Sequence, residues 1–351
     1  GICNVAALFP ADASKLERED LYQGEDNEVS VLDIPDLILQ QEHSIDSPPI
    51  KSLFIYNHNP IAVHPEQKKM QDALSCEDVF IVGCDVTLTD SMNYADILLP
   101  ATSHLEYADI YRAYGHPILQ ESAPVMAPLA NSKPNTDIFR ALASRFGFAD
   151  PLFSESDQDL IDLAINYSHP NMHGRQRSDL SPTKPLDCTK LNNGDLGPSL
   201  FRGQLPDTGS GKIELYDEAL EQECGMGLPK WTPLEKKHPF ILISPSSEKR
   251  TNSTFGNVPG HDSDVLLEMH PDDAAELGLA NQQAVNVFNE QANITLPLKL
   301  TNAIKRGTVY CPKGAWLKSQ INTINALIPG HRSDIARGAC YNDTQVSVTA
   351  Q

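Results

Sequence analysis

Three short aliphatic runs that end abruptly in amides, carboxylates and hydroxyls constrain this chain more than any other feature. SLFIY (52–56) stops at NHNP, DVFIVGCD (78–85) runs into VTLTD, and ADILLP (95–100) gives way to ATSHLE. Each run is unbroken and rich in β-formers, which predicts strands buried on both faces of a mainly parallel sheet. PEQKKMQDALSC (65–76) is helix-like and lies between the first two runs. Strand, helix, strand and strand in that order read as an open α/β unit. In such sheets ligands bind beyond the carboxyl ends of the strands. Those ends carry Asn57, Asn59, Asp85, Thr87, Thr89, Thr102 and Glu106, residue types that also cap and turn loops wherever they occur.

Downstream, PNTDIFRALASRFG (134–147) predicts a helix with Asn135 or Thr136 as N-cap, Asp137 in its first turn and Gly147 as its stop. SDQDLIDLAINY (156–167) predicts a second amphipathic helix. The tract His169–Lys212 is dense in Pro, Gly, Asn, Asp and Ser and lacks periodicity, so it reads as an irregular, mobile excursion over the surface. After His238 the texture changes. PFILIS, AVNVFN, ITLPLKL, GTVYCP and TQVSV are short strands, and HPDDAAELGL (270–279) is a short helix opened by Pro271 and closed by Gly278. These elements suggest a barrel rather than a sandwich, a choice that pattern alone does not make, and the expectation is a six-stranded barrel. The division that follows is an α/β domain over 1–237, with the loop-rich segment 169–212, and a β-barrel domain over 238–351.

Composition removes several function classes. A formal charge of −20 repels a phosphate backbone and argues against nucleic acid as a partner, and an anionic ligand would need local help from backbone N–H groups or helix N-termini. No apolar run approaches the ~20 residues of a membrane span. Seven cysteines contain no CxxC pair, so neither a zinc site nor an iron–sulfur cluster has its usual spacing, and reduced, mostly buried thiols are expected. There is no HExxH and no GxGxxG, and TGSGK (208–212) lacks the first glycine and the magnesium-binding hydroxyl of a P-loop. No residue is assigned as catalytic or as a metal ligand. The chain opens at Gly1 without Met or signal peptide, which leads us to expect a processed or excised piece.

The order YNHNP, TDSMNYADILLPATSHLE, PNTDIFRALASRFG, GKIELYDE and HPDDAAELGL with a β-rich tail resembles the C-terminal half of molybdopterin oxidoreductases, the dimethyl sulfoxide reductase and formate dehydrogenase superfamily. The resemblance spans roughly residues 29–350, and its specific parts are the ADILLPAT and HPDDAAELG blocks. It implies a Rossmann-like α/β domain followed by a double-psi β-barrel, and a bis(molybdopterin guanine dinucleotide) cofactor carrying molybdenum or tungsten. It further implies that Asn57, Asn59, Asp85 and Thr89 line one pterin nucleotide and that Asp137 meets its guanine. One carboxylate accepts both the N1–H and N2–H donors of guanine, so the chemistry fits.

In the barrel the resemblance implies contacts from Asn252 and Ser253 in SEKRTNSTFGN and from Asn325 and Asp343. The chain departs from many relatives in lacking a paired Arg or His around Ser246 and Ser247, and Lys249 and Arg250 are expected to supply that charge. The family's metal ligand and its iron–sulfur site lie in an N-terminal half that these residues do not include. The reading that follows is a cofactor-closing portion, not competent alone, whose partners are the pterin nucleotide, the N-terminal half of the same enzyme and an electron-transfer subunit. A cytoplasmic location is expected, with the periplasm as the alternative. A reading of a different class keeps the same scaffold as a stand-alone nucleotide-binding or assembly module without redox chemistry.

Overall fold

The computed structural model describes residues 9–11, 14–17, 28–40, 48–112, 116, 118–172, 174–188, 206, 208–261, 263–317 and 323–351. Its strands are β1 (Ser52–Tyr56), β2 (Phe80–Asp85), β3 (Ile97–Pro100), β4 (Asp109–Arg112), β5 (Ile118–Ser122), β6 (Leu186–Asp187), β7 (Phe240–Ile243), β8 (Leu267–Met269), β9 (Ala284–Phe288), β10 (Asn293–Leu300), β11 (Thr308–Tyr310) and β12 (Gln345–Ala350). The chain divides into two compact units, Asn27–Leu99 with Leu220–Gln351, and Gly1–Asp26 with Pro100–Ala219.

In the first of these units the three aliphatic runs form the sheet β1–β2–β3, with β1 and β2 parallel and Ser52 in register with Phe80. One face is packed: Ile55 and Ile81 meet Ile61, Met70, Ala73, Leu74 and Met92 from the helices Pro60–Val63 and Gln67–Leu74 and the turn Ser91–Tyr94. Gly83 is required there, because a Cβ at this position would stand 2.3 Å from the sulfur of Met92. The expectation of strands buried on both faces is corrected: Phe54, Phe80 and Leu98 are 38%, 50% and 47% exposed. Apolar content alone predicts affinity for a cover and not its presence, and among the described residues the helices cover one face only.

The same unit holds a closed six-stranded barrel in the order β10–β8–β11–β7–β12–β9. Two of its pairs, β10/β8 and β11/β7, are parallel and the others antiparallel. Along β10 the residues Ile294, Leu296 and Leu298 are buried while Asn293, Thr295 and Pro297 face out, the period of two that a one-sided strand requires. Inward residues Leu242, Leu267, Met269, Val285, Val287, Leu296, Val309 and Val346 fill the interior. The short helix Pro271–Glu276 is present, with Pro271 at its first turn and Gly278 at φ +66° after it.

The second unit carries the antiparallel sheet β4–β5–β6 and the helices Asn135–Phe146 and Asp157–Ala164. Ser156 and Asp159 close a reciprocal capping box on the latter. The former begins at Asn135, so Pro134 occupies the capping position and no side chain caps the helix; its C-terminus ends at Gly147 with φ +75°. The reading of 169–212 as an excursion is corrected over its first half: Met172, Leu180, Leu186 and Cys188 are buried in the core with Leu119, Ile161 and Ile165, and β6 pairs with β5. Those four apolar residues follow no regular period, so the pattern that marks helices and strands could not show them. Residues 189–205 and 207 lie outside the described ones.

Candidate functional site

The end of β1 is the origin of the site. Asn57 turns the chain in the left-handed region, φ 51°, and its N–H extends the ladder to the Cys84 carbonyl at 3.0 Å. Asn59 is then held inside: its Oδ1 accepts the Ser91 hydroxyl at 2.7 Å, while the Ser91 Oγ accepts the Ile61 N–H at 3.0 Å. The loop after β2 reaches the same place, with Thr89 buried and its Oγ1 accepting the Met92 N–H at 3.4 Å. Asp85 closes β2 by accepting the Val86 N–H at 2.7 Å. Burial raises its carboxyl above the ordinary range, against the pull of those backbone N–H groups and of His58.

The barrel grips the loop that follows Asn59. Gln67 donates to the Ile61 carbonyl at 2.7 Å and to Thr323 Oγ1 at 2.9 Å, and its own oxygen accepts the Thr323 N–H at 3.1 Å. Asn325 Nδ2 donates to the His64 carbonyl at 3.2 Å, the Glu66 N–H to the Ile328 carbonyl at 2.9 Å, and the Tyr341 hydroxyl to the Val63 carbonyl. Residues 61–66 are thus fixed from both sides by backbone and amide hydrogen bonds.

Where these elements meet lies a cleft of about 280 Å³, lined by His58, His64, Asn252, Lys313, Arg337 and Tyr341 together with Ser30–Leu32, Val63, Pro65, Gly338 and Ala339. Lys313 lies over the Tyr341 ring at 4.8 Å from its centroid. Burial pushes the Tyr341 phenol up to about 12, so it stays protonated and acts as a donor. The imidazoles of His58 and His64 approach to 2.7 Å between their Nε2 atoms. Burial first, and the neighbouring His58 second, lower His64 to about 4; burial also lowers His58.

Asn252 enters the cleft on a loop between β7 and β8 that is fastened from below. Arg250 is fully buried, donating from Nη1 to Asp264 at 2.7 Å and to the His261 carbonyl at 2.6 Å, and from Nε to the Lys313 carbonyl at 3.2 Å. The Trp316 indole donates to the Ser253 carbonyl at 2.8 Å, and Gly256 lies against the Trp316 ring. Gly314 has φ +87° and leaves no room for a Cβ, which would stand 1.7 Å from the Asn252 carbonyl oxygen.

The expected residues therefore separate. Asn57, Asn59, Asp85 and Thr89 gather at the ends of β1 and β2, Asn252 lines the cleft, and Asn325 holds the His64 carbonyl. Ser253 uses its carbonyl for Trp316, and Asp343 is exposed in the turn Tyr341–Asp343. Asp137 belongs to the other unit, where it is half exposed and paired with Arg140 at 2.9 Å. The expectation that Arg250 supplies charge to an anion is corrected, because Asp264 and two carbonyls engage it away from solvent. Lys313 and Arg337 are the cations of the cleft. His58 and His64 were not singled out in the sequence, although each sits in a distinctive context: NHNP just after the end of β1, and VHPEQ at the end of the helix Pro60–Val63.

Buried polar atoms in this region without a protein partner include Asn59 Nδ2, His64 Nδ1 and Asn325 Oδ1, and beneath the cleft loop Arg250 Nη2 and Asp264 Oδ2. An unsatisfied buried group costs ~1–3 kcal/mol, so its retention calls for a reason. Among the described residues no cluster of three or more His, Cys, Asp or Glu is arranged to hold a metal, and no helix is long and apolar enough to cross a membrane.

Two family models match the chain: Molybdopterin oxidoreductase over residues 3–145 and Molydopterin dinucleotide binding domain over residues 240–345. It is 34% identical to the Probable oxidoreductase YoaE of Bacillus subtilis over 98% of this chain and 50% of that protein. It is 26% identical to the catalytic chain of a putative dimethyl sulfoxide reductase of Halobacterium salinarum, over 86% of this chain and 37% of that protein. With the alpha chain of the F420-dependent formate dehydrogenase of Methanocaldococcus jannaschii the identity is 28%, over 89% and 46%. The acetylene hydratase of Pelobacter acetylenicus shares the fold, with a TM-score of 0.69, 19% identity, and coverage of 91% of this chain and 46% of that one. The chain spans half or less of the length of these relatives.

Proposed function

We propose, for a chain that carries molybdopterin oxidoreductase and molybdopterin dinucleotide-binding domains, that it is the nucleotide-holding portion of a longer oxidoreductase. The cofactor in this reading is bis(molybdopterin guanine dinucleotide) with molybdenum or tungsten. The α/β part over 1–237 is Rossmann-like and the barrel over 238–351 is of the double-psi kind. The remainder of the enzyme supplies the metal ligand and any iron–sulfur cluster, an electron-transfer subunit is the redox partner, and the compartment is the cytoplasm.

The observation that carries this reading is a set of orphaned polar atoms on the segment 59–64 and on Asn325, which grips it, where His64 enters a cleft that also holds two cations. Asn59 Nδ2 and Asn325 Oδ1 are a buried donor and acceptor, the pair of functions that a pterin or nucleotide edge satisfies. Lys313 and Arg337 supply local positive charge on a chain of net charge −20, which a phosphoryl group needs. The bound group would supply redox chemistry at its metal. The residues of this chain would do the rest: Asn59, Thr89 and Asn252 orient the nucleotide and Lys313 and Arg337 neutralise it; separately, the family resemblance assigns Asp137 to guanine.

Calorimetry with GDP and ADP tests the reading. GDP is expected to bind more tightly than ADP, and Lys313→Ala to weaken both. Asp137→Asn is expected to remove the preference, at ~1–3 kcal/mol for the guanine donor left facing an amide. Equal binding of the two nucleotides by the wild type refutes the guanine assignment.

A further inference from the structure

The two imidazoles of the cleft carry chemistry beyond this reading. His64 is only 6% exposed, lines the cleft, and places one nitrogen 2.7 Å from His58 while its other nitrogen has no protein partner. Two nitrogens at that distance require one proton between them. The neutral pair holds two protons on four nitrogens, one of them shared. A third proton produces an imidazolium that donates to a neutral imidazole, and the contact survives with a charge of +1. A fourth would set N–H against N–H and break it, so the pair accepts a single additional proton.

The surroundings decide when that proton arrives. Lys313 and Arg337 face the cleft from the barrel loops and oppose a third positive charge. Tyr341 is neutral. Asp85 at the end of β2 acts on His58 in the opposite sense, and Glu66 beside Pro65 is already paired with Lys69 at 3.0 Å. Without an anion the two cations and burial keep the pair neutral. A tetrahedral dianion between Lys313, Arg337 and the imidazoles reverses the local field and favours the added proton.

We propose that His58 and His64 form a proton-linked oxyanion site, in which the cleft takes up a phosphoryl-type dianion together with one proton held between the two imidazoles. This rests on the nucleotide-binding reading and adds a condition to it: seating the anion consumes a proton, so acidification strengthens retention. The proton is drawn from solvent and no covalent bond changes.

Sulfate is the probe, because its own charge is constant across the range used. Calorimetry on the protein at fixed ionic strength is expected to show sulfate affinity rising about ten-fold between pH 7.5 and 5.5, with proton uptake that averages about half a proton per anion over this range and approaches one at its acid end, read in buffers of different ionisation enthalpy. Nitrogen shifts of labelled histidine should move for both residues on sulfate addition at pH 6. His58→Gln, at the solvent-accessible member of the pair, should retain binding through Lys313 and Arg337 while the pH dependence flattens; His64→Gln should behave alike. Sulfate binding without proton uptake, or an unchanged pH slope in His58→Gln, overturns the inference while leaving the nucleotide reading to the GDP and ADP comparison. Absence of sulfate binding throughout this range also overturns it.

Discussion

Asn325, in a turn of the barrel, donates its amide to the backbone carbonyl of His64 at 3.2 Å, joining positions 261 residues apart in the sequence. Both residues are buried, and both keep a second polar atom without a protein partner. The bond shows how a barrel and an α/β layer share one site. The barrel does not merely lie beside the loop after β1; it sets the backbone on which His58, Asn59 and His64 are displayed. The shape of the cleft is therefore set in part by residues outside its lining, Asn325 and Gln67 among them.

Gln67 is the strongest of these. It makes three buried hydrogen bonds, to the Ile61 carbonyl, Thr323 Oγ1 and the Thr323 N–H. Gln67→Leu strands those partners and should lower unfolding stability by about 2–4 kcal/mol, since each buried group left unpaired costs ~1–3 kcal/mol and part of the loss relaxes. Urea denaturation checks this. Gln67→Glu should be less damaging to packing but leave the Ile61 carbonyl opposite a carboxylate oxygen, so a variant as stable as wild type would contradict the network.

Gly314→Ala is expected to fail for two separate reasons. A φ of +87° strains any residue with a Cβ, and that Cβ would meet the Asn252 carbonyl oxygen at 1.7 Å, a backbone atom that cannot step aside alone. Strain of this kind costs ~1–3 kcal/mol before the clash is counted. The loop must then shift, and the Trp316 indole that donates to Ser253 should report it as a change in fluorescence. Unchanged emission together with an unchanged melting temperature would contradict the close approach.

Much of this fold is written locally in the chain. The three aliphatic runs became β1, β2 and β3, the alternation of ITLPLKL became the one-sided strand β10, and Pro271 and Gly278 bracket a real helix, because each signal is set by neighbours a few positions away. The site was legible only in part. Asn57, Asn59, Asp85 and Thr89 were visible as polar residues ending strands, but His64 acquires its meaning from Asn325 and His58, and Lys313 from Tyr341, contacts that no local period encodes. Arg250 misled for the same reason. An arginine in a polar loop reads as exposed charge, and its burial depends on Asp264, fourteen residues on, and on the carbonyls of His261 and Lys313.

The Arg250–Asp264 pair yields a prediction of its own. Arg250 is fully buried and the Asp264 side chain is 21% exposed, and removing one partner leaves a charge with little compensation, at ~3–5 kcal/mol for pairs of this kind. Arg250→Met should therefore destabilise strongly, and Arg250→Met with Asp264→Leu should recover a good part of the loss, a coupling that a double-mutant cycle measures. Burial works against ionisation of Asp264, yet hydrogen bonds from Ser247 and Arg250 hold its carboxyl below the usual 3.8. A depressed carboxylate stabilises the fold above its unfolded value and loses that contribution as pH falls below 3.8 toward the folded value. A stability slope should appear in that window, and Asp264→Asn should lack this component.

His64 should make stability fall with acid over a pH range of its own. Its folded value, about 4, lies below the ordinary 6.5, because burial and His58 both disfavour the imidazolium. For a base with a depressed value the unfolded chain binds the proton first. Stability from this residue is thus complete above pH 6.5 and is lost as pH falls from 6.5 through about 4, to a total of up to about 3 kcal/mol. Denaturation at closely spaced pH values should reveal the slope, and His64→Gln should reduce it while the Asp264 component at lower pH persists. Sulfate at fixed ionic strength should shallow the same slope in the wild type, because a bound dianion lets the folded state hold the proton that otherwise pulls it toward unfolding. A slope between pH 6.5 and about 4 that is identical in wild type and His64→Gln would show that other groups carry the acid sensitivity, and would remove His64 from that role.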